Sequence, residues 1–187
     1  MSAAACRYHL RVADRVLIDG VTGSGKTTLA RKVAERTGLP FHSVDDLTWE
    51  PGWREVPAEE QRRRIAAICA DERWIIDSGY SKWVDLVLAR TDLIVALDYP
   101  RWLSLARLGR RTLARSLDRR PICNGNTESF RQMLSGDSII RWHFRSFSRK
   151  RARIRAWTNA SPGPLVVRLT TPRQASRWLQ SLSAEVA

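Results

Sequence analysis

Apolar residues occur in two patterns that alternate along this chain. Short runs rich in Val, Ile and Leu are typical of strands buried on both faces of a sheet, whereas longer segments with an apolar residue at every third or fourth position indicate amphipathic helices. The predicted strands are 15–19, 41–44, 74–77, 93–97 and 165–169. The predicted helices are 26–37, one beginning at Pro57, 81–90, 100 to about 117, about 137–156, and a last helix after the fifth strand. This alternation predicts an α/β fold with a five-stranded, doubly wound parallel sheet.

The 187 residues are predicted to form a single domain, because no internal repeat and no linker rich in Pro, Gly or Ser divides them. Residues 1–14 precede the first strand and are predicted to be an N-terminal extension. Residues from about 118 to 136 lack periodicity and are rich in Arg, Asn, Gly and Ser, which predicts a lid between two helices. Three widely separated cysteines fit neither a disulfide framework nor a zinc site.

Four residues with functional potential lie at the carboxyl ends of predicted strands: Gly20, Asp45, Asp77 and Asp98. Ligands of doubly wound sheets collect at the carboxyl ends of the strands, so the sequence predicts a site there. For Asp98, which comes shortly before Pro100, we favour a role in capping the next helix.

A phosphate-binding motif lies between the first predicted strand and helix, and it fits the pattern G-x-x-x-x-G-K-[ST]. Its glycines allow backbone amides to curve around an anion, Lys26 adds a positive charge, and Thr27 offers a hydroxyl group to Mg²⁺. The N-terminus of the following helix points at the same phosphates. The predicted phosphate-binding residues are Gly20, Gly23, Ser24, Gly25, Lys26, Thr27 and Thr28. The sequence therefore predicts nucleotide binding.

Positive charge is concentrated in one part of the chain. The net charge is +13, and residues 101–155 contribute +12 of it, from 15 basic and 3 acidic residues. Arginines recur along both helices that flank the predicted lid, at Arg107, Arg110 or Arg111, Arg115, Arg141, Arg145, Arg149 and Arg153. Like charges at this spacing repel, so these ridges are expected to face an anionic partner or solvent. The packed side of the second of these helices is predicted from apolar residues near helical spacing, which are Ile140, Phe144, Phe147, Ile154 and Trp157. Contacts with phosphate are expected from Arg107, from Arg110 or Arg111, and from one or two of Arg119, Arg120, Arg149 and Arg153.

No apolar run approaches the length that spans a membrane, and the first fourteen residues contain no apolar signal-peptide core. These observations predict a cytoplasmic protein without a membrane partner, and we expect it to be a monomer. The three histidines, His9, His42 and His143, show no ligand spacing and are predicted to be structural or at the surface.

Further motifs resemble the adenylate-kinase-like P-loop kinases and, among them, the topology modulation proteins. The resemblance covers about 16–179. It rests on the phosphate loop, Asp45 with Leu47 and Trp49, the Trp-Glu-Pro-Gly-Trp turn at 49–53, the Trp-Ile-Ile-Asp strand at 74–77 followed by Gly79-Tyr80, and Leu97-Asp98 with Pro100-Arg101-Trp102.

This resemblance implies an ATP-dependent kinase that phosphorylates a small molecule or a nucleotide, with Mg²⁺ bound through Thr27 and Asp77. The implied catalytic residues are Lys26, Asp45, Arg107 and Arg111, and both arginines also contact the nucleotide. Asp45 would face the acceptor. If the acceptor is a hydroxyl group, Asp45 orients and deprotonates it; if it is a nucleotide phosphate, Asp45 only binds it.

The chain departs from the family pattern after the third strand. Residues 77–81 carry neither the arginine that holds the acceptor phosphate in adenylate kinases nor the asparagine usual in the topology modulation group. Adenosine monophosphate is therefore not the expected acceptor. Trp49 and Trp53 either line an acceptor pocket or pack their loop onto the core.

Two other functions are compatible with the sequence. In one, the protein is a nucleic-acid-associated ATP-binding protein whose basic residues 101–155 contact the phosphate backbone. In the other, it binds ATP without transferring a phosphoryl group.

Overall fold

The computed structural model describes residues 13–118, 123–126 and 139–183. The strands are β1 (Arg15–Gly20), β2 (Phe41–His42), β3 (Trp49–Glu50), β4 (Arg54–Glu55), β5 (Trp74–Asp77), β6 (Leu93–Leu97) and β7 (Leu165–Leu169). The helices are α1 (Lys26–Thr37), α2 (Val44–Thr48), α3 (Ala58–Ala70), α4 (Val84–Leu88), α5 (Arg101–Asp118), α6 (Ile139–Asn159) and α7 (Pro172–Ser183). The predicted α/β class is confirmed.

Five parallel strands form the main sheet in the order β2-β5-β1-β6-β7, which confirms the predicted sheet. β1 is central, and Val16 pairs with Ile75 of β5 on one side and with Leu93 of β6 on the other. The chain order reverses at β1, so the crevice at its carboxyl end is where ligands bind in folds of this kind. Gly20, the first residue of the phosphate loop (residues 20–27), lies at that end and pairs with Leu97.

Helices cover both faces of the sheet, as the doubly wound prediction requires. Successive strand side chains point to opposite faces, so Val16 and Ile18 pack in one core cluster and Leu17 in the other. The first cluster includes buried residues of α1 and α7, and the second includes buried residues of α3, α4 and α6. The phosphate loop therefore starts from a strand that is packed on both sides.

The predicted strand 41–44 is wrong at its end. β2 stops at His42, and helix α2 begins at Val44, so that Asp45 and Asp46 occupy the first turn of a helix. Two carboxylates at that position interact favourably with the helix dipole, which favours a helix over a longer strand. The predicted turn at 49–53 is the tip of an antiparallel hairpin of β3 and β4.

Several predictions concern residues outside the ranges that the structure describes. Residues 1–12 of the predicted extension and residues 119–122 and 127–138 of the predicted lid lie outside the described residues. The single domain, the lid, the monomeric state and the cytoplasmic location therefore stay predictions. Within the described residues, none of the helices combines the length and the apolar character that a membrane span needs.

Candidate active site

The phosphate loop adopts the conformation that its glycines permit. Gly23 and Gly25 have φ angles of +82° and +89°, in the left-handed region that side chains disfavour. Gly25 occupies the N-cap position of α1, where no side chain caps the first amides. The hydroxyl group of Ser24 is buried without a hydrogen-bond partner among the described residues. Free amides and an unpartnered hydroxyl group at a helix N-terminus fit the oxygens of a phosphate group.

Helix α5 packs directly on this loop. A Cβ atom at Gly23 would collide with the carbonyl oxygen of Ser104 and lie 3.0 Å from Cβ of Leu108, so the close approach requires glycine. The Nη1 atom of Arg107 donates to the carbonyl oxygen of Ser24 at 3.1 Å, and its guanidinium lies 5.3 Å from the ring centre of Tyr99. Arg107 thus reaches the loop, and its contact with phosphate stays a prediction.

The structure also distinguishes the two arginines that the sequence left as alternatives. Arg111 lies one helical turn beyond Arg107, on the same side of α5, and it is half-buried, whereas Arg110 is exposed. Arg111 is therefore the better candidate for the nucleotide site. Thr28 is exposed in the first turn of α1, beside the half-buried Lys26 and Thr27.

The two predicted metal ligands lie together. The hydroxyl group of Thr27 donates a hydrogen bond to the carboxylate of Asp77. Asp77 is only 3% exposed. The amide of Val44, at the start of α2, donates to Oδ1 of Asp77 at 2.9 Å. Burial raises the pKa of Asp77, and the hydrogen bonds from Thr27 and Val44 partly oppose that rise.

A hydroxyl group and a carboxylate beside a phosphate site are the donor set that suits Mg²⁺, which takes most of its remaining ligands from water and phosphate. No group of three or more His, Cys, Asp or Glu side chains forms a metal cage within the described residues. The residues present therefore fit a magnesium ion that arrives with its nucleotide.

Asp45 lies close enough to Asp77 for its charge to raise the pKa of Asp77, and it has a partner that sequence reasoning missed. The hydroxyl group of Tyr80 donates to Oδ1 of Asp45 at 2.9 Å. Burial and the nearby Asp45 carboxylate raise the pKa of Tyr80 well above its usual value, so the phenol keeps its proton. This bond orients the Asp45 carboxylate through Oδ1. A tyrosine three residues after a strand-end carboxylate was the available signal.

Helix α6 contributes two cations near the base of the phosphate loop. Arg153 donates to Oδ2 of Asp19 at 2.7 Å, and the ammonium group of Lys150 donates to the carbonyl oxygen of Gly20 at 3.3 Å. Asp19 is fully buried in β1 and also accepts a bond from the amide of Gly79 at 3.3 Å. Burial alone would raise the pKa of Asp19, but the charges of Lys150 and Arg153 outweigh it and lower the pKa.

Neither Asp19 nor Lys150 was among the predicted site residues. The sequence feature that could have indicated Lys150 is its helical spacing on α6, three residues after the buried Phe147 and three before Arg153. Arg153, one of the four arginines from which one or two phosphate contacts were expected, pairs with Asp19, and its guanidinium lies 4.7 Å from the ring centre of Trp157.

The predicted assignment of exposed and packed sides on α6 is only partly correct. Arg145 and Arg149 are exposed, but Phe144, expected on the packed side, is 51% exposed, and His143 is fully buried in its place. The Nε2 atom of His143 lies 2.8 Å from Oγ of Ser104, so this contact sets the rotation of the helix against α5. The side chains of Arg115, Arg119, Arg120 and Arg141 lie outside the description.

Asp98 does not cap α5, which begins at Arg101. Its buried carboxylate accepts bonds from Arg151 of α6 and Arg168 of β7, with Nε of Arg168 at 2.7 Å. A buried carboxylate needs such charged partners, which explains why the prediction of a cap is wrong. Arg151 is therefore unavailable to a nucleotide.

Residues 123–126, here called the asparagine turn, contact the segment that carries Asp45. Asn124 donates to the carbonyl oxygens of Asp46 and Trp49 at 2.8 and 2.7 Å. Asn126 donates to the carbonyl oxygen of Glu50 at 3.0 Å and accepts the amide of Trp53 at 2.8 Å. These bonds fasten α2 and the tryptophan hairpin to the connection between α5 and α6.

The hairpin tryptophans pack against each other. The ring centres of Trp49 and Trp53 are 6.0 Å apart in an edge-to-face arrangement, and both side chains are half-buried. Their mutual contact supports packing of the hairpin, one of the two roles considered from the sequence.

No family model and no curated protein matches the sequence. Solved structures do match. A gluconokinase from Sinorhizobium meliloti 1021 is 16% identical, with a TM-score of 0.52 over 90% of each chain. A shikimate kinase from Bacteroides thetaiotaomicron is 18% identical, with a TM-score of 0.51 over 91% of this chain and 96% of that one. The corresponding values for a shikimate kinase from Aquifex aeolicus vf5 are 14%, 0.51, 90% and 95%. The chain therefore has the fold of these P-loop kinases.

Proposed function

We propose that this protein is an ATP-dependent kinase that transfers the γ-phosphoryl group to a small molecule. The main support is one arrangement: Asp77 accepts a hydrogen bond from Thr27 of the phosphate loop, and it lies close enough to Asp45, the partner of Tyr80, for the two carboxylates to interact. A nucleotide bound to the loop and an acceptor bound near Asp45 would therefore both lie close to Asp77. The small-molecule acceptors named in gluconokinase and shikimate kinase, which share the fold, also support this choice.

The chain's own residues would position ATP and neutralise its charge. The amides of the phosphate loop and the hydroxyl groups of Ser24 and Thr28 would bind the phosphates, while Lys26, Arg107 and Arg111 would stabilise the charge that develops on the transferred group. Phosphoryl transfer requires mainly such positioning and electrostatic stabilisation. Thr27 and Asp77 would hold Mg²⁺, which bridges and neutralises phosphate oxygens when bound.

Asp45 would act on the acceptor. With a hydroxyl acceptor, the Asp45 carboxylate can accept the departing proton, while Tyr80 keeps the carboxylate oriented. Described residues 77–89 contain no arginine to bind an acceptor phosphate, and the amide of Gly79 is directed to Asp19. Both observations favour a hydroxyl group on a small molecule over a nucleotide phosphate.

The test is ADP release, measured by a coupled assay across sugars, sugar acids, polyols, other small alcohols and nucleoside monophosphates. We expect one class to stimulate turnover above the rate with water. Lys26→Ala should abolish that stimulation, whereas Lys32→Ala, an exposed lysine on the same helix, should not. Absence of stimulation throughout, together with unchanged Mg-ATP affinity in Lys26→Ala, would contradict the proposal.

A nucleic-acid-associated function is the second candidate, and the exposed Arg145 and Arg149 support it. The basic segment has fewer available cations than its composition indicates, because Arg151 and Arg153 pair with buried carboxylates. Affinity for duplex DNA should fall steeply with salt and be reduced by Arg145→Gln with Arg149→Gln if this function is present. Binding that ignores salt or both substitutions would exclude it.

A further inference from the structure

Lys150 is a cation of the site to which phosphoryl transfer assigns no role. It lies on α6, and its ammonium group donates to the carbonyl oxygen of Gly20, the first residue of the phosphate loop, at 3.3 Å. The side chain is half-buried at this contact. It is therefore close to any nucleotide that the loop binds.

Four charged groups from four elements surround this ammonium group: Asp19 on β1, Arg153 on α6, Lys26 on α1 and Asp45 on α2. Two are anionic and two are cationic. The Asp19 carboxylate is already bonded to Arg153 and to the amide of Gly79, and Asp45 is bonded to Tyr80. Both carboxylates near the Lys150 ammonium group therefore also accept hydrogen bonds from other residues.

These surroundings destabilise the protonated form of the Lys150 amine relative to the neutral form. Burial, together with the charges of Lys26 and Arg153, lowers the pKa of Lys150 to about 8, although the charges of Asp19 and Asp45 oppose the change. The amine is therefore half-protonated near pH 8 in the free protein, at a pH where an exposed lysine is fully charged.

We propose that Lys150 is a positioning residue of the nucleotide site and that a bound nucleoside triphosphate, by bringing negative charge to the phosphate loop, draws a proton onto its amine. The protonated amine then donates to the Gly20 carbonyl oxygen and adds a positive charge next to the phosphate loop. This inference rests on the proposed function only in requiring that Mg-ATP bind the loop.

The sign of the pH dependence follows from proton linkage. Negative charge near the ammonium group favours its charged form, so the complex binds more protons than the free protein above about pH 7. Binding of Mg-ATP therefore takes up a proton, and its affinity falls as the pH rises through 8. Below pH 7, Lys150 is charged in both states and contributes no pH dependence.

Calorimetry with a non-hydrolysable Mg-ATP analogue at pH 8, in two buffers of different ionisation enthalpy, measures this uptake directly. A shift of the Lys150 pKa by one unit or more in the complex gives roughly 0.4 proton per nucleotide. Lys150→Arg keeps a charge that does not titrate, so its uptake should fall to near zero while its affinity at pH 7 stays within about threefold. The exposed Lys32→Met is the matched control and should retain the full uptake.

Lys150→Met provides an independent variant. It should also lose the uptake, and its affinity at pH 7 should drop by roughly tenfold because a charge near the phosphates is missing. Nucleotide binding without proton uptake, or uptake that persists in Lys150→Arg and Lys150→Met, would overturn this inference and leave the proposed function intact. A complete lack of Mg-ATP binding by the wild-type chain would overturn both.

Discussion

The nucleotide side and the acceptor side of the candidate site are assembled differently. The nucleotide side is largely one continuous segment, residues 20–28, whose backbone supplies the binding groups. The acceptor side combines Asp45 of α2 with Tyr80 after β5, and its hairpin is fastened by the asparagine turn. A local motif therefore builds one half, and contacts between residues 35 to 78 positions apart build the other. This difference predicts that substitutions on the two sides have separable effects.

The largest effect is expected from Gly23→Ala on the nucleotide side. Alanine at this position would have to adopt a backbone φ angle of +82°, and its methyl group would collide with the carbonyl oxygen of Ser104 on α5. Backbone strain and overpacking together should cost about 2–5 kcal/mol of unfolding free energy and abolish Mg-ATP binding. Denaturant unfolding and calorimetry would measure the two losses.

Gly109→Ala on α5 is the matched control for that substitution. A Cβ atom at Gly109 meets no other atom within 4 Å, so alanine should stabilise the helix by about 0.5–1 kcal/mol and leave nucleotide binding unchanged. Equal losses in both variants would show that α5 does not pack on the loop as described.

Asp77→Asn should separate metal-dependent catalysis from nucleotide binding. The amide oxygen of asparagine can still accept the bond from Val44, so α2 should stay in place, but the negative charge for Mg²⁺ is lost. Acceptor-stimulated turnover should fall by about 100-fold or more, whereas metal-free ATP affinity should change little. Asp85→Asn, at an exposed ion pair with Arg62, is the control and should leave turnover near the wild-type value. Turnover retained in Asp77→Asn would remove this residue from the metal site.

Asn126→Ala tests the attachment of the acceptor side. Asn126 is 4% exposed, and its loss removes bonds to Glu50, Trp53 and Cys123, which should destabilise the protein by about 1–3 kcal/mol. Hydrogen exchange should become faster in the hairpin of β3 and β4, while Mg-ATP affinity should be unchanged. Asn159→Ala, exposed at the end of α6, should alter neither quantity. Uniformly faster exchange in α1 as well would contradict a local role.

The contrast between a local motif and contacts distant in sequence also explains which site residues could be predicted from the sequence. The phosphate loop was predictable because its glycines, Lys26 and Thr27 are adjacent in sequence and each serves a local requirement. All five strands of the sheet were likewise visible as apolar runs. Tyr80 and Lys150 were not predicted as site residues, because their roles depend on partners that only the packing of separate elements brings near.

Two wrong predictions have the same physical origin. Asp98 was expected to cap a helix because its local sequence permits it, but burial makes its pairing with Arg151 and Arg168 the stronger requirement. Phe144 was assigned to the packed face from spacing alone, whereas the contact between His143 and Ser104 rotates α6 and leaves Phe144 exposed. Local periodicity predicts a helix better than it predicts which side faces inward.

The smallest effect is expected from Tyr80→Phe, which deletes one hydroxyl group on the acceptor side. Without its donor, Asp45 loses a fixed orientation, and a hydrogen bond to a charged group accounts for about a tenfold change in kcat/KM for the acceptor. Mg-ATP affinity should be unaffected, since Tyr80 does not contact the phosphate loop through any described hydrogen bond. If Tyr80 acts only through Asp45, then Tyr80→Phe should have no further effect in an Asp45→Asn background. Additive losses in that double-mutant cycle would mean that the tyrosine contacts the acceptor itself, and the acceptor side would then have two independent binding groups.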